Sequence, residues 1–351
     1  MDKSKKIASG LMVVLLLIIA VLVFLWKQTG ALQEEPFTST SFAMGTYVQQ
    51  TVYGENGEQA AQEGDRAVQE LENKISWRVE SADVARLNAA AGTDWIDIAP
   101  ETASILQDAL DVAERSNGAF DPTILPISSL WDFGGENQHF PGDAELQRFL
   151  PFVDYRNVRV DAEQSKASIK IRGAAVDLGA IGKGAACDQM VRAYQEAGAK
   201  SGVAAVGGSI GLYGTKPGGG AWRLAIRDPD SGNDKAVEMG TLDLKEGFIS
   251  TSGSYEKTFE EDGRTYHHLL DPKTGYPADN GLVSVTVVYQ NGAMSDALST
   301  AAFVLGLEQG RALLEEYGAG GVFIDRDHRV TVTENLKDAF QIVSDAYALA
   351  E

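Results

Sequence analysis

Val176-Asp-Leu-Gly-Ala-Ile-Gly-Lys-Gly184 stands between a strand-like run, Ala167–Ile171, and a helical run, Gly184–Glu196. Three glycines allow close backbone approach to a ligand, and the helix start that follows favours an anion. Downstream, Gly202–Val206, Trp222–Ile226 and Leu282–Tyr289 read as strands, and Ala293–Leu305 as a helix. Val322–Ile324 and Arg329–Thr333 form a closing strand pair around Asp325–His328. Upstream, Phe42–Tyr53 is rich in aromatic and β-branched residues and reads as one strand. Glu58–Ile75 carries Val68, Leu71 and Ile75 at helical spacing. Ser81 can cap a short helix that Gly92 ends, and Glu101–Ser116 sets Ile105, Ala109, Val112 and Ala113 on one face. Strands and helices intermix without a strict βαβ rhythm, so the class is α+β with mixed or antiparallel sheets and packed helices. No repeat and no Pro/Ser-rich linker interrupts residues 40–350, which read as one domain.

The chain has 351 residues, 44% hydrophobic and 23% charged, which is globular composition. One cysteine rules out an internal disulfide scaffold. Thirty basic against 50 acidic residues give a net charge of −20, which disfavours a nucleic-acid partner.

Residues 1–30 are a separate object. Lys3, Lys5 and Lys6 precede an uncharged run, Ile7–Trp26, and Lys27 follows. Twenty helical residues span ~30 Å, the hydrocarbon thickness of a bilayer. A cleaved signal peptide is the alternative. The run exceeds a typical h-region, and no A-x-A site or lipid-accepting cysteine follows it. The expectation is a single-pass anchor: residues 1–6 a cytoplasmic basic stub, 7–26 the transmembrane helix, 27–40 a tether and 41–350 the extracytoplasmic domain. Beyond residue 30 the chain keeps 26 basic and 49 acidic residues, so the domain should stand clear of an anionic surface.

Several segments can carry chemistry. Asp296 and Thr300 are spaced i,i+4 on one helix face, and their oxygens suit Mg²⁺; a helix-capping role is the alternative. His267 and His268 are two of only four histidines, at a strand end where one should face inward as a base titrating near pH ~6–7. Ser116-Asn-Gly-Ala-Phe-Asp-Pro-Thr123 is by itself a helix end and turn. Lys183 can meet a phosphate or simply be solvated. Ser254 lacks a nucleophile-elbow context, and Cys187 fits a helix core.

Taken together, Met44-Gly45-Thr46, Gly118-Ala-Phe-Asp-Pro-Thr123, Val176–Gly184, Gly207-Gly208, His268-Leu-Leu-Asp-Pro-Lys-Thr-Gly275 and Asp296-Ala-Leu-Ser-Thr300 occur in this order. In this the chain resembles the ApbE family, the FAD:protein FMN transferases, over roughly Ser41–Gln341.

The resemblance implies an ApbE-like, T-fold-related domain that binds FAD and Mg²⁺ outside the bacterial cytoplasmic membrane. It implies transfer of the FMN moiety to a Thr or Ser hydroxyl of an acceptor flavoprotein with an FMN-binding domain, such as an electron-transport or reductase subunit, with release of AMP. By position, Met44, Trp77, Ala119, Phe120, Asp121, Asp177, Lys183 and His268 match FAD contacts. The Ala180 carbonyl, Asp296 and Thr300 match metal ligands, and His268 matches the residue that activates the acceptor hydroxyl. Trp77 stands where a Tyr is common, and Lys183 where other members can carry an acid. Two alternatives remain at this point: a metal-dependent FAD pyrophosphatase, and a non-catalytic extracytoplasmic FAD-binding protein.

Overall fold

The computed structural model describes residues 35–232 and 237–350. The basic stub, the apolar run 7–26 and the tether up to residue 34 lie outside the described residues. Among the described residues, no helix is long and apolar enough to cross a membrane.

The chain opens with a hairpin, β1 (Phe37–Ala43) and β2 (Thr46–Tyr53). Its two-residue turn is Met44-Gly45, with φ +53° and +70°. Positive φ at both positions is the turn geometry that matches strand twist. Phe42–Tyr53 is therefore a turn plus strand rather than one strand. Methionine in that turn gives no sequence warning, unlike Asn-Gly. Phe37–Thr40, assigned above to the tether, pairs with Gln49–Val52 inside the sheet.

Helix α1 (Gly57–Ile75) and α2 (Asp83–Ala89) follow, then the short strand β3 (Ile96–Asp97) and α3 (Pro100–Arg115). Ser81 does not cap α2; the boundary residue is Ala82, with no side-chain cap. Buried Asp83 instead accepts from the Ala99 N–H at 2.7 Å and the Thr102 hydroxyl at 2.8 Å, tying α2 to the start of α3. Helices α4 (Leu125–Trp131) and α5 (Asp143–Phe149) precede β4 (Val158–Asp161) and β5 (Lys166–Ile169), and β5 pairs with β3 on one side and β4 on the other.

Helix α6 (Gly179–Glu196) begins five residues earlier than the sequence suggests, so Gly179–Gly184 is helix, not loop. The strands after it are β6 (Ser201–Val206), β7 (Ser209–Tyr213), β8 (Trp222–Arg227), β9 (Glu238–Leu244), β10 (Gly247–Gly253), β11 (Thr258–Glu261), β12 (Arg264–His267) and β13 (Leu282–Tyr289). Helices α7 (Gly292–Leu305) and α8 (Leu307–Tyr317) lead to β14 (Gly320–Asp325), β15 (Arg329–Val332), β16 (Phe340–Ile342) and β17 (Ala348–Leu349).

Nine strands form one sheet in the order β1-β2-β6-β7-β10-β13-β14-β15-β17, antiparallel except for β15–β17. The α+β reading holds. Alternation along the strands feeds two cores. Phe323 joins the large core with α1, α6 and α7, while its neighbours Val322 and Ile324 pack with Ile226, Met239 and Leu242 of the small sheet β16-β9-β8. A third cluster centres on buried Trp131, ringed by Phe133, Phe140, Phe259, Tyr266 and Tyr276. It fixes the β11–β12 hairpin to α4 and α5.

Helices α6 and α7 touch backbone to backbone. A Cβ on Gly184 would lie 1.9 Å from the Gly292 carbonyl oxygen, and one on Gly292 would lie 2.3 Å from that of Gly184. Gly184 is thus a packing glycine rather than a ligand-facing one. Gly184→Ala should lower stability by about 3 kcal/mol, the scale of overpacking a tight core. Urea unfolding checks this; an unchanged midpoint at unchanged m would mean the helices part freely.

Candidate active site

All eleven residues picked out by sequence line one cavity of about 680 Å³: Met44, Trp77, Ala119, Phe120, Asp121, Asp177, Ala180, Lys183, His268, Asp296 and Thr300. That volume falls in the ordinary range for a small-molecule site.

The walls come from different parts of the fold. The strained β1–β2 turn supplies Met44, whose Sδ-terminal methyl would meet a Cβ placed on Gly182. After α3, Gly118 takes φ +76°. Asp121 is buried and fully engaged: one oxygen accepts from the Thr123 N–H (2.8 Å) and hydroxyl (2.6 Å), the other from Tyr155 N–H at 2.9 Å. Burial still raises its pKa above the ordinary carboxylate value. Its evident local role is to order the Asp-Pro-Thr turn. The Asp177 N–H then donates to the Pro122 carbonyl at 2.8 Å, joining this loop to the next. Asn88 on α2 holds Val176 through both backbone groups, at 2.9 and 2.7 Å. Asp177 itself accepts from Gly179 N–H at 2.8 Å. The anion expected at the start of α6 is therefore, at that amide, the protein's own carboxylate.

Asp296 is 3% exposed. Its Oδ2 accepts from the Gly184 N–H at 3.1 Å and from the Lys183 ammonium at 3.3 Å. Lys183 also donates to the Gly179 carbonyl at 3.0 Å. Lys183 is neither free nor simply solvated: it neutralises Asp296. Thr300, one helical turn on, shares a hydroxyl contact with Ser252 at 3.2 Å, and Ser252 meets Ser299 at 2.8 Å. One carboxylate, one hydroxyl and the Ala180 carbonyl are hard oxygen donors, and they fit a divalent ion that takes its remaining ligands from water and phosphate. Among the described residues no group of three or more His, Cys, Asp or Glu forms a self-sufficient metal cage. A metal there would take Asp296 from a flexible lysine, which can swing away.

The two histidines separate by their hydrogen bonds. His267 spends both nitrogens internally: Nε2 faces the Ala278 carbonyl at 3.2 Å, and Nδ1 accepts from Leu269 N–H at 3.3 Å. His268 faces the cavity, and its Nδ1 sits 3.0 Å from the Glu256 carbonyl. A carbonyl only accepts, so Nδ1 carries the proton and Nε2 keeps its lone pair for a substrate. Burial, then the Lys257 charge, lowers the His268 pKa to about 3. This lies below the ordinary ~6–7 expected from sequence, so the site favours the neutral imidazole.

Sequence reasoning missed three residues. Asp188 of α6 accepts from Gly292 N–H (2.7 Å) and Ala293 N–H (2.8 Å), capping the helix that carries Asp296 and Thr300. Arg78 stacks on the Trp77 ring, 4.0 Å from its centroid, and lines the cavity. Lys257 lines it too. No pattern in the chain flags Asp188, because its partner lies more than a hundred residues away.

The model of the ApbE family matches residues 44–323, most of the chain and all of this cavity. The chain belongs to the ApbE family. It is 30% identical over 338 residues to the FAD:protein FMN transferase of Treponema pallidum, covering 91% of this chain and 93% of that protein. It is 30% identical over 253 residues to that of Vibrio cholerae, covering 72% and 75%. Among solved structures, the ApbE protein of Thermotoga maritima superposes with a TM-score of 0.79 at 31% identity, over 87% of this chain and 99% of that one. The flavin transferase ApbE from Vibrio cholerae gives 0.77 at 26%, with the same coverage. The single α+β domain is thus the ApbE fold.

Cys187 and Ser254 stay outside the chemistry. Cys187 is fully buried, and burial pushes its thiol pKa far up. The Ser254 hydroxyl donates to the Val283 carbonyl at 3.3 Å.

Proposed function

We propose that the chain is an FAD:protein FMN transferase, moving the FMN moiety of FAD to a Thr or Ser hydroxyl of an acceptor flavoprotein. The carrying observation is a histidine with a free Nε2 facing the same cavity as Asp296 and Thr300, in a chain similar over 91% of its length to the FAD:protein FMN transferase of Treponema pallidum.

His268 Nε2 would take the proton of the acceptor hydroxyl as its oxygen attacks the flavin-side phosphorus. The P–O bond to the adenylate breaks, and AMP leaves with the bridging oxygen. The new bond is a phosphoester. Mg²⁺ held by the Ala180 carbonyl, Asp296 and Thr300 would supply charge neutralisation on the phosphate oxygens. The Glu256 carbonyl keeps His268 in the reactive tautomer, and Asp188 holds α7 in place. No protein nucleophile is required, consistent with the internal bonding of Ser254 and Cys187.

The test is incubation of residues 35–351 with FAD, Mg²⁺ and candidate acceptors, followed by intact mass. Acceptor gaining FMN with stoichiometric AMP supports the transferase. FMN and AMP released with acceptor left unmodified would make the chain a pyrophosphatase. Unchanged FAD would leave only binding.

We also place the domain outside the bacterial cytoplasmic membrane, anchored by Ile7–Trp26 with its flanking lysines. Protease accessibility in spheroplasts and resistance to carbonate extraction check this; a protected or extractable protein would refute it.

A further inference from the structure

Three full cations line the cavity: Arg78, Lys183 and Lys257. Two of them are committed. Arg78 lies over Trp77, and Lys183 is paired with Asp296. Lys257 makes no hydrogen bond or ion pair with any described residue. It sits in the turn between β10 and β11 with φ +43°, a left-handed conformation that a lysine adopts at a cost.

Its neighbours say what it faces. The next residue back, Glu256, gives its carbonyl to His268. Lys257 is also the strongest charged influence on that imidazole. Lys257 itself remains exposed at the cavity edge, where partial desolvation and the nearby Lys183 depress its pKa, opposed by Glu256 and Asp177. An unpaired ammonium crowded by another cation is relieved by an anion.

We propose that Lys257 binds the flavin-side phosphate of the substrate, the phosphoryl group that is transferred, beside His268. This rests on the transferase reading, which sets His268 at that phosphorus. The adenylate phosphate lies on the far side of the bond that breaks, so Lys257 distinguishes the two halves of FAD. A single ammonium–phosphate contact contributes about 1.5–3 kcal/mol, or roughly 10–100-fold in affinity.

The experiment compares phosphorylated and unphosphorylated halves on the full chain. FMN, riboflavin, AMP and adenosine are titrated against the wild type, Lys257→Met and Lys257→Arg. In Lys257→Met, FMN should weaken roughly 10–100-fold while riboflavin is unchanged, and the AMP-to-adenosine ratio should not move. Lys257→Arg should restore most FMN affinity. Methionine has no easier access to positive φ than lysine, so the backbone strain is matched. Parallel losses for FMN and riboflavin, or a change confined to AMP, would overturn the proposal. Failure of the wild type to bind FMN or FAD at all would overturn the transferase reading itself.

Discussion

Asp296→Ala should leave transfer reduced on the order of 10³-fold or more, while FAD still binds at lower affinity. Loss of metal-assisted charge neutralisation is worth several kcal/mol, and each 1.36 kcal/mol is tenfold in rate. Asp296 is the one carboxylate in the donor set proposed above, and its Oδ2 also holds Lys183 and the Gly184 amide. Alanine removes all three functions; Asp296→Asn keeps the volume and part of the amide contact but not the charge. Both variants should fail in transfer, whereas the flavin and adenine contacts from Met44, Trp77 and the Ala119–Asp121 loop stay in place. Titration with Mn²⁺ and FAD, beside product analysis, is the check. Wild-type turnover by Asp296→Ala at ordinary Mg²⁺ would sink the metal role. Thr300→Ala should be milder and partly rescued by excess Mn²⁺, because water replaces a neutral hydroxyl more readily than a carboxylate.

His268→Ala should slow transfer by about 10²–10⁴-fold with little loss of FAD affinity, the signature of a missing general base. His267→Ala is the control. Its ring is spent on Ala278 and Leu269 and stands edge-on to Phe303 at 5.8 Å. It should therefore affect stability more than rate. The pH profile carries a second test. A histidine whose folded pKa is lowered to about 3 is already deprotonated at pH 5. kcat/KM, which reports the free enzyme, should therefore show no inflection near pH 6–7 from this group. For stability the sign is opposite to that of a paired histidine. Between about pH 3 and pH 6.5 the unfolded chain binds more protons at this position than the folded one, so folding strengthens as pH rises through that window. An inflection near 6.5 that vanishes in His268→Ala would show that the imidazole is less desolvated than the structure indicates.

Much of this was legible in the chain. Glu58–Ile75, Glu101–Ser116 and Ala293–Leu305 announced themselves through apolar spacing, and each appears within a residue or two. Leu282–Tyr289 matched its strand end to end. The site residues stood out through six short motifs whose order resembles that of the ApbE family, and of their residue types histidine is the scarcest, four in the chain. What was hidden depends on contacts distant in sequence. The nine-strand order brings β2 beside β6 and β7 beside β10. Gly179–Gly184 looked like a loop because glycine is a poor helix former, and only the Gly184–Gly292 contact explains its place in α6. The neutrality of His268 comes from burial and from Lys257, neither of which local composition records.

The glycine contact also limits how such a site can diverge. Ala180 and Lys183 ride on α6, and Asp296 and Thr300 on α7. With the two backbones already in contact at Gly184 and Gly292, the oxygens proposed to hold the metal, that of Ala180 on one side and those of Asp296 and Thr300 on the other, would work as jaws on a seized hinge. They would neither open for a larger ion nor close on a smaller one without disturbing that contact. Variation in what the cavity accepts must therefore come from the side chains along its margins: the Met44-Gly45 turn, the loop at Phe120, and the hairpin that runs from Lys257 to His268. A library aimed at new flavin analogues should diversify those three turns and leave both helices untouched.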